Sequence, residues 1–388
     1  MLRPRFEIIA RASGSAARAG EIRTAHGSIA TPAFAPVGTQ AAVKALAPRD
    51  LEALGVDLLM SNAYHLAMRP GAEVVQALGG LHALAGWNGP MITDSGGFQI
   101  FSLDNRVNVD DDGVTFRSHL DGRAHRFTPE SVVQLQQALG ADLAMPLDVC
   151  TGFPVERAVA ERDLQRTHAW AARAREAHAD HPQLLYGIVQ GATFPDLRAA
   201  SAVAIRSIGF DAYAIGGVSV GEPKADLWRA VDQVLPGLPE AAPRHLLGVG
   251  HPEDLIEGIA RGIDSFDCVM PTRVARMAGA LTLDGRLNLR NARFARDLRP
   301  IEADCGCYAC QRFSRGALRH LVKAGEILAA QLLTLHNLHF TLELVRRARA
   351  AILADRFDVF RANFLDRYEG GRYAPAAGGA LGRPYLEA

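Results

Sequence analysis

The stretch Ser265-Phe266-Asp267-Cys268-Val269-Met270-Pro271-Thr272-Arg273 decides how this chain folds. A short apolar run of strand character holds one carboxylate, Asp267, and closes on a Pro followed by a Thr-Arg pair. Hydroxyl and guanidinium suit phosphate oxygens or base edges, so the run sets a buried carboxylate beside an anion-binding rim. A lone Asp in an apolar strand is commonly a structural hydrogen-bonding group, and its meaning has to come from the rest of the chain.

Seven similar runs precede it, at residues 34–37, 57–61, 91–94, 143–148, 184–190, 212–216 and 245–250, with the eighth spanning 265–270. Between them lie stretches with helical periodicity, at 48–54, 72–78, 129–139, 155–178, 195–208, 224–234 and 252–261, several with Pro in the first turn. Strands and helices alternating eight times predict an α/β fold, a (β/α)8 TIM barrel, in preference to an open doubly wound sheet. No glycine-rich dinucleotide fingerprint follows the first strand. Two segments exceed the eight units. Residues 101–127 alternate polar and apolar around Asp112-Gly113 and Asp121-Gly122 and predict a β-hairpin insertion after the third strand. A cysteine-bearing segment, 278–340, predicts an inserted zinc-binding subdomain before and within a final helical region at 326–355. Residues 1–368 are thus expected to form a single barrel domain, and the Gly-, Ala- and Pro-rich residues 369–388 to be a loose tail.

Of the 388 residues 48% are hydrophobic and 22% charged, which fits a globular protein and not a disordered one. Lys+Arg and Asp+Glu number 42 each, so the whole chain carries no nucleic-acid signal. The distribution does. From Cys268 to Lys323 eleven basic residues face four acids, a local excess of seven on the segment after the eighth strand. The first residues lack an apolar signal region and no run reaches membrane-spanning length, so a soluble cytoplasmic protein is expected.

Polar residues cluster where the strands end. They are Asp94-Ser95-Gly96-Gly97 after the third strand, Asp148 after the fourth, Gln190-Gly191 after the fifth, Gly216-Gly217 after the sixth, Gly248-Val249-Gly250 after the seventh, and Asp267 in the eighth. In a parallel barrel those ends converge on one mouth. Any one of these residues could be a cap or a turn, Asp94 above all, but six convergent positions point to a site. Two opposed carboxylates can divide glycosyl chemistry, one attacking the anomeric carbon and one managing the leaving group's proton. An ionised Asp148 can accept from the N–H face of a guanine-like base, while Gln190 and a glycine N–H donate to its carbonyl. A zinc hydrolase barrel would instead want histidines at several strand ends, and this chain has few there.

Five cysteines are present, three within Cys305-Gly306-Cys307-Tyr308-Ala309-Cys310. With His336 they supply three thiolates and an imidazole, the tetrahedral set of a closed structural zinc site; His320 and His339 are alternative ligands. Cys150 and Cys268 read as small buried hydrophobes.

Thr93-Asp94-Ser95-Gly96-Gly97-Phe98-Gln99, the pair Asp148 and Cys150, the turn Gly216-Gly217-Val218-Ser219-Val220-Gly221-Glu222, the stretch from Phe266 to Arg273 and the Cys3His cluster together resemble bacterial tRNA-guanine transglycosylase, over nearly the whole chain. The resemblance implies a zinc-stapled barrel that exchanges the wobble guanine of tRNAs with G-U-N anticodons (Asp, Asn, His, Tyr) for a deazaguanine precursor of queuosine. It assigns Asp267 as nucleophile and Asp94 as general acid/base. Asp94, Ser95, Gly96, Gly97, Asp148, Gln190 and Gly217 would line the base pocket, with Phe98 and Leu247 sandwiching the ring. Gly248, Val249, Gly250, His251, Pro252, Glu253 and Asp254, and then Thr272, Arg273, Val274, Ala275 and Arg276, would touch RNA. Cys305, Cys307, Cys310 and His336 would hold one Zn(2+), and the family acts as homodimers. Many members carry Glu directly after the recognition Asp, where this chain has Val149. Val220 is the larger residue of enzymes that take preQ1; a glycine there makes room for queuine. Loss of Asp267, Asp94 or the zinc ligands would mark a non-catalytic tRNA-binding subunit, and all are present.

Overall fold

The structure, a computed structural model, describes residues 5–103 and 107–373. Eight short parallel strands form its centre: β1 (Ala33–Pro36), β2 (Leu59–Asn62), β3 (Met91–Asp94), β4 (Leu143–Ala144), β5 (Leu184–Val189), β6 (Ala212–Ile215), β7 (Arg244–Leu246) and β8 (Ser265–Cys268). They bond in the order β1-β8-β7-β6-β5-β4-β3-β2, and a parallel bridge from Val37 to Met60 joins β1 to β2 and closes the ring. Each strand overlaps one of the eight apolar runs, with Ala33, Asn62 and Arg244 lying one residue outside them. Parallel strands covered on both faces must be apolar throughout, which is why they were readable; all six residues of β5 are buried.

The helices fall where the periodicity put them, with Pro in the first turn of Pro48–Ala53, Pro129–Leu139, Pro195–Ile208 and Pro252–Ala260. Thr128 caps Pro129–Leu139 by accepting from the Ser131 N–H at 3.2 Å, while Ser131 Oγ accepts from the Thr128 N–H at 2.8 Å. One apolar core lies between strands and helices, and a second fills the barrel. That inner core is sealed by Phe6, Ile22 and Ile29 from a three-stranded antiparallel sheet, Phe6–Arg11, Arg18–Thr24 and Gly27–Thr31. The sequence reading did not anticipate this sheet, which covers the end of the barrel where the strands begin. It is fastened by Arg18, whose guanidinium is buried against Asp264, just before β8, with Nε donating to Asp264 Oδ1 at 2.9 Å.

Three boundaries differ from expectation. The insertion after β3 is a hairpin extended by a third strand: Val107–Asp110, Gly113–Arg117 and Ala124–Phe127 pair antiparallel. The final helical region expected at 326–355 is the helix Ile327–Leu353, and a further helix, Phe357–Tyr373, follows it. Residues 369–373, expected as tail, therefore end a helix, and 374–388 lie outside the described residues. After β8 a short helix, Met270–Arg276, leads into the strands Gly279–Thr282 and Gly285–Asn288, then the helices Tyr308–Arg312 and Arg315–Ala324. These share an apolar core with Leu332 and Leu333 of Ile327–Leu353, so the inserted segment packs against the helix that carries His336. Among the described residues no helix is long and apolar enough to cross a membrane.

Candidate active site

Asp94 is the last residue of β3 and Asp267 the third of β8, two strands separated round the ring by β2 and β1. Asp94 Oδ2 accepts from Asn62 Nδ2 at 2.6 Å and Oδ1 from the Ala63 N–H at 3.3 Å. It does not cap the helix that follows it, whose N-cap is Gly96. Burial pushes its carboxyl up to about 7 and the negative charge of Asp267 pushes in the same direction, against the two hydrogen bonds. Asp94 is thereby a carboxylic acid able to give and take a proton near neutral pH.

Asp267 is held differently. Its Oδ1 accepts from the Gly248 N–H at 3.1 Å and lies 3.0 Å from His245 Nε2; Oδ2 takes part in neither contact. His245 is wholly buried, and its Nδ1 lies 2.8 Å from Ser265 Oγ. With the serine hydroxyl donating to Nδ1, Nε2–H is left to donate to Asp267.

The neighbouring wall is built for a flat polar ligand. Asp148, on the extended segment after β4, accepts from Gln190 Nε2 at 2.6 Å, and burial pushes its carboxyl up to about 6 while that bond pulls it back. Gln190 Oε1 is buried with no hydrogen-bond partner among the described residues. Gly217 has φ +61°, and a Cβ there would sit 2.1 Å from Gln190 Oε1, so only glycine fits the turn. A Cβ on Gly97 would meet Asp148 Oδ1 at 2.9 Å. Ser95 is buried, with Oγ accepting from the Gly97 N–H at 3.2 Å. Behind the wall Arg198 is fully buried and donates to the carbonyls of Ala192, Gly216 and Gly217 at 2.6, 2.6 and 2.8 Å. It fixes the turn that presents Gly217.

The predicted residues thus come together at one mouth. Phe98 is exposed there and Leu247 half-buried. Of the two segments expected to meet RNA, Gly248, His251, Arg273 and Arg276 are exposed, while Val249, Gly250, Pro252, Glu253, Asp254, Thr272, Val274 and Ala275 are buried. Glu253 and Asp254 both bind Lys224 Nζ, at 2.7 and 2.8 Å. Val149 packs in an apolar cluster with Tyr64 and Trp170. Burial pushes the Cys150 and Cys268 thiols up to about 12, which disfavours the thiolate form at both.

Away from the mouth, Cys305, Cys307, Cys310 and His336 are buried together with donor atoms close enough to hold a metal ion. His336 Nδ1 lies 3.7, 3.5 and 3.4 Å from the three sulfurs, while its Nε2 donates to the Leu281 carbonyl at 2.8 Å. His339 reaches only Cys305, at 3.6 Å, and His320 is not in the cluster.

Three residues of the site escaped the sequence reading. Asn62 lies one residue past the second apolar run, His245 opens the seventh, and Arg198 sits on the buried face of Pro195–Ile208. Only Arg198 left a trace, a charge at helical spacing with the buried Ser201, Ala202 and Ile205.

A family model described as Queuine tRNA-ribosyltransferase matches residues 13–370. Among similar proteins, the queuine tRNA-ribosyltransferase of Syntrophobacter fumaroxidans is 52% identical over 93% of this chain and 97% of its own. That of Pelotomaculum thermopropionicum is 49% identical over 94% and 99%, and that of Symbiobacterium thermophilum 48% over 97% and 96%. A match from end to end, on a barrel whose mouth holds paired carboxylates and a polar pocket for a flat base, places the chain in the queuine tRNA-ribosyltransferase family, the pentosyltransferases known as tRNA-guanine transglycosylases.

Proposed function

We propose that this chain exchanges the guanine at wobble position 34 of tRNAs with GUN anticodons for preQ1, 7-aminomethyl-7-deazaguanine, through a covalent Asp267–RNA intermediate. The observation that carries the reading is the division of labour between two carboxylates. Asp94 holds a proton up to about pH 7, and Asp267 is pinned through Oδ1 with Oδ2 left to react.

Asp267 Oδ2 attacks C1′ of the ribose as the bond to guanine N9 breaks, and Asp94 gives its proton to the departing base. The incoming base then loses its N9 proton to Asp94 and attacks C1′, and the bonding pair returns to Asp267. Two displacements retain configuration. Asp148 and Gln190 recognise the base edge, with Gly217 N–H donating to its carbonyl, and Phe98 and Leu247 cover its faces. Val220, half-buried on a turn whose Ser219 and Val220 N–H groups are held by Glu222, supports the small precursor over queuine.

The exposed Arg273, Arg276, Arg286, Arg290, Arg293 and Arg296 support a tRNA phosphate track beside β8. The target nucleotide leaves the anticodon stack to enter the barrel. The Cys3His set fits zinc. Metal–sulfur bonds of about 2.3 Å and metal–nitrogen bonds of about 2.0–2.1 Å set tetrahedral sulfur–nitrogen edges of roughly 3.5 Å, and the three observed edges lie at 3.4–3.7 Å. Zinc held there cross-links the 305–310 loop to helix Ile327–Leu353; it takes no part in the chemistry. A homodimer in the cytoplasm completes the reading.

Labelled guanine and an unmodified tRNA with a wobble guanine test it. Incorporation suppressed more strongly by preQ1 than by preQ0 or queuine is expected, with an RNA adduct on the wild type and none on Asp267→Asn. Exchange retained by Asp267→Asn sinks the nucleophile assignment, and stronger suppression by queuine sinks preQ1.

A further inference from the structure

At the opposite end of the barrel three chain segments bring two imidazoles onto one carboxylate. His26 occupies the turn between strands Arg18–Thr24 and Gly27–Thr31, His82 lies in helix Gly80–Ala85, and Asp142 immediately precedes β4. The rings of His26 and His82 stack 3.6 Å apart at 18°. His26 Nδ1 lies 2.8 Å from Asp142 Oδ1, and His82 Nε2 lies 3.2 Å from Asp142 Oδ2. We propose that His26, His82 and Asp142 form a second metal site, for a borderline divalent cation of the zinc class, that staples the N-terminal sheet to the floor of the barrel.

The donor set is two imidazole nitrogens and one carboxylate oxygen, with the three ligand atoms all within 4.8 Å of one another. Tetrahedral zinc with such ligands needs edges of roughly 3.3–3.5 Å and in-plane lone pairs that converge, and the two rings are stacked nearly parallel, so His26 has to swing out of the stack to bring Nδ1 to an ion held by His82 and Asp142. His26 can provide that movement, because its side chain is 40% exposed on a hairpin turn. The same exposure lets the ion enter and leaves room for water as a fourth ligand. Asp142 cannot turn away: its side chain is 1% exposed, and Oδ2 accepts from the Met91 N–H at 2.9 Å, the kind of supporting bond that orients a metal-binding carboxylate. Nitrogen and oxygen donors without sulfur favour Zn(2+), Co(2+) or Ni(2+) over calcium or magnesium, which take all-oxygen shells. The site lies at the strand beginnings, away from the catalytic mouth, so its role is mechanical.

Full-length protein with its Cys3His metal in place is titrated with Zn(2+) by calorimetry, and with Co(2+) by absorption spectroscopy. A second equivalent is expected on the wild type, with cobalt d–d bands and no added thiolate charge transfer. Zn(2+) should also raise the melting temperature. His26→Gln and His82→Gln should each weaken that equivalent at least about 10-fold and abolish the thermal shift, while thiolate-bound metal is unchanged. Far-UV circular dichroism equal to that of the wild type shows that each variant is folded. No added equivalent beyond the Cys3His metal in the wild type, or an added equivalent that survives both substitutions, overturns the proposal.

Discussion

His245 Nε2 lies 3.0 Å from Asp267 Oδ1 while His245 Nδ1 lies 2.8 Å from Ser265 Oγ, so a buried imidazole bridges two residues of β8 from the adjacent strand. The contact fixes which oxygen of Asp267 is free. His245→Leu should lower kcat by about 10- to 100-fold through misplacement of the carboxylate and leave KM for the base nearly unchanged. His245→Gln, whose amide can donate from near the Nε2 position, should recover part of the loss. A leucine variant as fast as the wild type would show that Gly248 alone positions Asp267.

Asp94 makes the folded chain less stable at high pH. Its carboxyl is raised from 3.8 to about 7, so the folded state holds a proton that the unfolded chain releases. The resulting stabilisation is complete below about pH 4 and is lost as pH rises through 7. Asp94→Asn stays neutral throughout and should be more stable than the wild type at pH 8.5. The gain should be on the order of 1–4 kcal/mol, because a tenfold difference in proton affinity between folded and unfolded chains is worth about 1.4 kcal/mol, and it should shrink towards pH 4. Thermal melts of both proteins across that range decide it; a constant difference would mean that Asp94 does not carry the proton.

Base binding should follow the ionisation of Asp148. With its carboxyl at about 6, a ligand that needs the carboxylate loses affinity as pH falls through 6, approaching tenfold per pH unit below it. Guanine binding measured by calorimetry from pH 8 to 5 should show this slope in the wild type. Asp148→Asn should bind weakly and flatly.

Removing the metal ligands should loosen the inserted subdomain before the barrel. The apolar core around Leu289, Phe294 and Leu318 also contains the three cysteines, so Cys307→Ser exposes a shared core. Hydrogen exchange should rise across residues 278–325 and stay low in β4 to β7, and metal content should fall. Unchanged exchange after verified metal loss would remove the structural role.

Arg18→Ala should destabilise by about 3–5 kcal/mol, because it leaves Asp264 buried without its cation. Chemical denaturation measures this directly. A cost below about 1 kcal/mol would mean that water reaches Asp264 once the guanidinium is gone.

The barrel was legible because its signals are local. Val189 or Ile215 is apolar whichever strand lies beside it, and Pro48, Pro129, Pro195 and Pro252 mark helix starts through their own fixed φ. The N-terminal sheet was not legible. Arg18–Thr24 is RAGEIRT, without clean alternation, and its burial depends on a barrel end that forms only when the chain closes. The third strand of the insertion, Ala124–Phe127, was not legible because Phe127 is its one buried residue; the helix Phe357–Tyr373 does carry a stripe at helical spacing, Phe357, Phe360, Phe364 and Tyr368, which the boundary expected at 355 left out.

By itself the sequence determined the fold class, the eight strand ends and the residues that gather there, because periodicity, turn chemistry and the Cys-x-Cys-x2-Cys spacing act within a few residues. It also determined the family, through motifs long enough to be specific. Only the tertiary structure decided that burial raises the Asp94 carboxyl, which oxygen of Asp267 is free, and that Arg198 braces Gly217. Those properties depend on burial and on distances between side chains that the closed barrel alone brings together.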